Sequence, residues 1–172
     1  MLNKVPDCKK VFLVFIILFT WQQVIGQWYV DKKYGFKINI PDQWNSTHFE
    51  ENGMLVYKFI SSDNNIIIEL DAFDIDKSIH VFDLVSDFEE NRLPEGFECS
   101  SLKDYTTETN IKGKIAIYNG YLNGIAESFS TFYTTNNSKG YVLSTLVPIE
   151  KIQEKSEETR AIINSFQLLK SP

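Results

Sequence analysis

Tyr34-Gly35-Phe36-Lys37-Ile38-Asn39-Ile40 alternates apolar and polar residues without a break, and Pro41-Asp42 closes the run. Successive side chains on a strand point to opposite faces. Tyr34, Phe36, Ile38 and Ile40 therefore share one face, and Gly35, Lys37 and Asn39 the other. The pattern predicts a half-buried strand ending at Pro41, which has no N–H to continue a ladder. Trp44 follows at once and is expected to fold back over the core.

Outward from this strand, Met54 to Ile60 and Ile66 to Phe73 are two apolar runs separated by Asp63-Asn64-Asn65. Asn and Asp tolerate turn geometry, so the pair reads as a hairpin. In the second run Ile66, Ile68, Leu70 and Ala72 share one face, with Glu69 and Asp71 opposite. The period then changes. Val81, Leu84, Val85 and Phe88 recur at helical spacing, with Ile79 and Phe82 beside them. This predicts an amphipathic helix with Ser78 as its cap and Leu93-Pro94-Glu95-Gly96 as its stop. Phe97 to Glu108, Lys114 to Tyr118, Ile125 to Thr135 and Tyr141 to Val147 read as further strands. The turns between them fall at Asn119-Gly120, Asn123-Gly124 and Asn136 to Gly140, a spacing that suits an antiparallel meander. Glu150 to Ser165 predicts a closing helix, starting as late as Ser156 on an alternative reading. The order implies an α+β domain: a twisted antiparallel sheet of about six to seven strands flanked by helices.

The N-terminus predicts a compartment. Lys4, Lys9 and Lys10 precede an apolar run from Val11 to Phe19, then Gln22-Gln23 and Val24-Ile25-Gly26. A basic start, a short apolar stretch and small residues before a cut are the parts of a signal peptide. Cleavage is expected between Gly26 and Gln27. The apolar run is about half the roughly 20 residues a spanning helix needs. Position 27 is not the cysteine that lipidation requires. Residues 1–26 are thus expected to be removed and 27–172 to form one domain, secreted or periplasmic, without stable membrane insertion.

Removing three lysines and one aspartate takes the formal charge from −6 to −8. An acidic domain without a basic cluster argues against nucleic-acid partners. Cys8 leaves with the signal, and Cys99 remains without a partner for a disulfide. It has no neighbouring base in sequence to activate it, so a buried or idle thiol is expected.

Two stretches resemble the PsbP-like family: Tyr34-Gly35-Phe36-Lys37-Ile38-Asn39-Ile40-Pro41 with Trp44, and the ending Ile162-Ile163-Asn164-Ser165-Phe166. The likeness spans about residues 30 to 170. It implies a twisted antiparallel sheet with helices packed on it. That family includes photosystem II extrinsic subunits, a Ran-binding nuclear protein and small exported bacterial proteins, and its characterised members act mostly by binding partners. It has no shared active site, so Phe36, Ile38, Pro41, Trp44 and Phe166 imply fold alone.

Chemistry is sparse. His48 and His80 stand outside any metal-binding spacing, and surface roles are expected for both. Glu69, Asp71, Asp74 and Asp76 form the best metal candidate, since hard cations want several oxygens. A solvated strand face running into a helix start accounts for them better. No G-x-S-x-G, S-x-x-K, C-x-x-C or phosphate loop occurs. Phe132 has the opposite parity to Phe129 and Tyr133, which puts aromatics on both faces of one strand; core packing on both sides is preferred to an exposed platform. Asn45-Ser46-Thr47 and Asn136-Asn137-Ser138 match the N-glycosylation pattern. No catalytic, metal or cofactor-binding residue is assigned. The expected function is a non-enzymatic exported module that binds a protein partner. The alternatives are a small-ligand or carbohydrate-binding module using sheet aromatics and, third, a metal-dependent enzyme.

Overall fold

A computed structural model of the chain describes residues 26–169. The signal-peptide assignment covers residues 1–26; all of these but Gly26, which opens the first strand, lie outside the described residues. The strands are β1 (Gly26–Asp31), β2 (Phe36–Pro41), β3 (Asn45–Glu51), β4 (Met54–Ile60), β5 (Ile67–Asp74), β6 (Glu98–Thr106), β7 (Lys112–Leu122), β8 (Ile125–Asn136), β9 (Lys139–Pro148) and β10 (Gln167–Leu168). Helix α1 (Val81–Asn91) falls between β5 and β6. A short 3-10 turn (Ile149–Lys151) leads into α2 (Ile152–Ser165).

The fold is α+β, as expected, with its strands in two sheets. The larger has seven strands in the order β3-β4-β5-β9-β8-β7-β6, every neighbouring pair antiparallel. The smaller has the order β1-β2-β10 and is also antiparallel. Two cores lie on opposite faces of the large sheet. The first joins β2 (Phe36, Ile38, Ile40) and Trp44 to Phe59, Ile68, Leu70 and Leu143, with Ile162, Ile163 and Phe166 from the chain's end. The second packs Leu84, Val85 and Phe88 of α1 on Ala116, Tyr118, Tyr133 and Val142. The molecule is therefore layered: small sheet with α2, large sheet, then α1.

The alternation of β2 holds at every position, and Phe36, Ile38 and Ile40 are fully buried. Phe36 lies against Phe166, Tyr57 and Tyr141, with ring centroids 6.0, 5.8 and 6.1 Å away. Ser165 Oγ accepts from Asn39 N–H at 3.0 Å and ties the end of α2 to β2. Strand β8 serves both cores, Phe132 on one face and Tyr133 on the other, so the preference for core packing over an exposed platform holds on this strand.

Several expectations need correction. Strand β3 (NSTHFEE) is exposed along its whole length and has no apolar alternation; it exists because β4 offers it a ladder. The Asn119-Gly120 pair lies inside β7, and the turn to β8 is made by Asn123 (φ 51°) and Gly124 (φ 82°). Gly120 is required by a close approach: a Cβ there would lie 2.6 Å from the Phe97 ring. Helix α1 begins after His80, whose N–H donates to the Asp83 carboxylate at 2.6 Å. Ser78 instead donates to Asp76 from both N–H and Oγ. Helix α2 starts at Ile152, ahead of Ser156. Among the described residues, no helix is long and apolar enough to cross a membrane.

Candidate interaction surface

Helix α1 covers only part of its side of the large sheet, and Arg92 sits at the edge of the covered part. This residue caps the helix C-terminus, its N–H donating to Phe88 O at 3.0 Å. A cation is favoured there because the last carbonyls of a helix point outward. The side chain turns back over the sheet. Its Nη1 donates to Asp71 Oδ2 at 2.6 Å, and its Nε lies 3.6 Å from Asp87 Oδ2. The guanidinium stacks near the rings of Phe88 (5.3 Å) and Phe73 (5.9 Å), where the negative ring faces favour it.

Two hollows open on either side of Arg92. The larger, about 810 Å³, has an apolar floor of Met54, Phe73, Ile75 and Ile79 and a rim carrying Glu51, Asp76, Asp83 and Asp87. The smaller, about 300 Å³, is walled by Ile67, Phe88, Pro94, Leu122, Phe129 and Leu146, with Lys58, Glu69 and Asp71 among its polar lining. Beside it the β7–β8 hairpin tip exposes Leu122 (36%) and Ile125 (55%) on the α1 side, while Tyr121 has the parity of the other face. Large apolar side chains grouped at one spot cost solubility and are a usual mark of a contact surface.

Asp71 is the main electrostatic departure from expectation. It was expected on a solvated face; instead α1 and Arg92 leave it 4% exposed. Burial and the neighbouring Glu69 push its carboxyl up to about 7, against the opposing pull of Arg92. Its Oδ1, with Nε and Nη2 of Arg92, is buried and has no hydrogen-bond partner among the described residues. Glu127 of β8 is a second buried acid, raised by burial, and its Oε2 likewise lacks a partner among the described residues.

The four acids considered as metal ligands are dispersed. Asp71 turns under α1, Asp74 pairs with Lys139, Asp76 accepts from Ser78 and Glu69 is exposed. Among the described residues no group of three or more metal-type side chains gathers. His48 lies on the exposed face of β3 and stacks on Tyr57 at 5.2 Å, and His80 is the exposed cap of α1. Cys99 is not buried: it is exposed on β6, and its Sγ points to Ser101 O at 3.6 Å. Asn45 is exposed and Asn136 half-buried. Arg92 was missed by the sequence reading. The available signal was a cation placed directly before Leu93-Pro94 at a helix end, but its partner lies 21 residues away and no local pattern names it.

No protein-family model matches the sequence, and no curated protein matches it. Solved structures do resemble it. Cyanobacterial PsbP (CyanoP) of Synechocystis superposes with a TM-score of 0.62 at 14% identity, over 87% of this chain and 95% of that one. The Ran-binding protein Mog1p of Saccharomyces cerevisiae gives 0.53 at 12%, over 86% and 97%. LpqN of Mycobacterium tuberculosis, involved in cell envelope biogenesis, gives 0.53 at 14%, over 87% and 93%. At these identities the likeness concerns the fold, and it agrees with the layered arrangement of sheet and helices described above. The chain has the PsbP-like fold.

Proposed function

We propose that the protein is a non-enzymatic, extracytoplasmic accessory module that holds a protein partner against the α1 side of its large sheet. The observation that carries this reading is the apolar hairpin tip, Leu122 and Ile125, exposed on the α1 face beside an uncovered part of the sheet. Such a surface gains free energy when a partner covers it, about 25 cal/mol for each Å² of apolar area removed from water. The fold is shared with Mog1p, which binds Ran, and with LpqN, which serves the cell envelope; both associations support an accessory role. The basic and then apolar pattern of residues 1–26 supports export.

The test is affinity capture from the native extracytoplasmic fraction, comparing the wild type with a Leu122→Ser/Ile125→Asp variant. The wild type should retain a specific partner, and the variant should lose it while melting at an unchanged temperature. Equal retention by both would remove the hairpin from the reading. A reproducible hydrolase activity abolished by replacing His48 or His80 would overturn the non-enzymatic assignment.

A further inference from the structure

The small hollow beside Arg92 is apolar on most sides, yet a charged pair lines it. Asp71 is 4% exposed, and one carboxylate oxygen is used by Arg92 while the other has no partner among the described residues. Arg92 spends one terminal nitrogen on Asp71; its Nε faces Asp87 Oδ2 at 3.6 Å, and its other terminal nitrogen, Nη2, is buried without a hydrogen-bond partner among the described residues. The lining of the hollow thus includes one unmet acceptor, Asp71 Oδ1, and one unmet donor, Arg92 Nη2, both buried behind its surface. Buried polar groups are almost always satisfied, because each unmet one costs about 1–3 kcal/mol.

A group that meets both needs must donate and accept, and it must be neutral to avoid upsetting the pair. A free carboxylate would meet Asp71 and Glu69 as like charges. An ammonium would meet Arg92 and Lys58. A carboxamide does both tasks without net charge: its N–H₂ donates to Asp71 Oδ1 and its C=O accepts from Arg92. The walls of Ile67, Phe88, Phe129 and Leu146 suit a methylene stem, and Leu122 continues them onto the hairpin tip.

We infer that this hollow is the specificity pocket of the docking face and takes a neutral carboxamide, an Asn or Gln side chain flanked by apolar residues on a partner protein. The inference rests on the docking face proposed above and names the chemistry it selects.

The test uses isotope-labelled protein titrated at pH 8 with three end-blocked peptides, Leu-Gln-Leu, Leu-Glu-Leu and Leu-Lys-Leu. The readout is the NMR shift of the Arg92 Nε–H and of the Phe88 and Phe129 ring resonances. Backbone amides are common to all three peptides, so their difference reports the side chain. The glutamine peptide should bind about tenfold or more tightly than the other two, the scale of one hydrogen bond to a charged group. Asp71→Asn offers an N–H₂ in place of the unused acceptor and should erase that preference. No shift at Arg92, or equal affinity for all three peptides, overturns the inference even if the variant fails to fold. Propionamide binding as tightly as the glutamine peptide would overturn the flanking apolar contacts and leave a small-amide site. A partner captured through the hairpin but indifferent to Asp71→Asn would leave the docking face intact and remove the carboxamide pocket.

Discussion

Replacing Arg92 with methionine removes the cation while keeping most of the apolar length of the side chain. Asp71, with its side chain 6% exposed, then has no guanidinium. Breaking a buried ion pair from one side costs about 3–5 kcal/mol, because the remaining charge is uncompensated. Arg92 itself is 21% exposed, which favours the lower end, about 3 kcal/mol, at pH 8. The sign of the pH dependence follows from Asp71. Its carboxyl is raised from 3.8 to about 7, so the folded protein holds a proton that the unfolded chain has released. The stability this group contributes is full below about pH 4 and is lost as pH rises through about 7, a change of about 4 kcal/mol at about 1.4 kcal/mol per pH unit. At pH 5 the carboxyl is protonated with or without Arg92, so the deficit of Arg92→Met should shrink to about 1 kcal/mol, the scale of a neutral hydrogen bond. Adding Asp71→Leu replaces the pair by two apolar side chains and should recover most of the loss, with a coupling energy of about 2 kcal/mol or more. Urea denaturation at both pH values, followed by tryptophan fluorescence with the buried Trp44 as reporter, measures all of this. A deficit equal at pH 5 and pH 8, or strict additivity in the double variant, would refute the reasoning.

Phe36→Ala should cost about 3–5 kcal/mol, seen as a lowered denaturation midpoint with an unchanged slope, since the ring is fully buried against Phe166, Tyr57 and Tyr141. Gly124→Val places a β-branched side chain at φ 82° and should cost at least about 1–2 kcal/mol by the same assay, with Gly124→Asn closer to neutral. Cys99 is exposed and should react with a maleimide in the native protein without denaturant, at a site identified by peptide mass; protection until unfolding would contradict its place on β6. Burial pushes the hydroxyls of Tyr118 and Tyr133 up, and they bond to each other at 3.0 Å. In a spectrophotometric titration both should stay protonated until the protein unfolds, because a raised phenol stabilises the fold below its ordinary pKa and loses that stabilisation as pH rises.

The amino-acid sequence by itself determined the elements whose periodicity is local. The alternation from Tyr34 to Ile40, the helical spacing of Leu84, Val85 and Phe88, and the turn residues at Asp63 to Asn65 and Asn123-Gly124 each state their conformation within a few residues. A side chain's exposure on a strand or helix follows from spacing alone when one face is core and the other is water. Tertiary structure decided the rest. Strand β3 has no apolar signal of its own and is set by its ladder to β4. Gly120 looks like a turn and is instead room for Phe97. Asp71 has the parity of a solvent-facing residue, yet α1 packs over that face and Arg92 reaches it from the helix end. The large sheet carries a core on each face, but α1 covers only part of its side, so polar positions there are divided between water and core by where α1 stops, and that boundary depends on contacts between residues far apart in the chain. The candidate surface lies along this boundary, and local patterns therefore could not locate it.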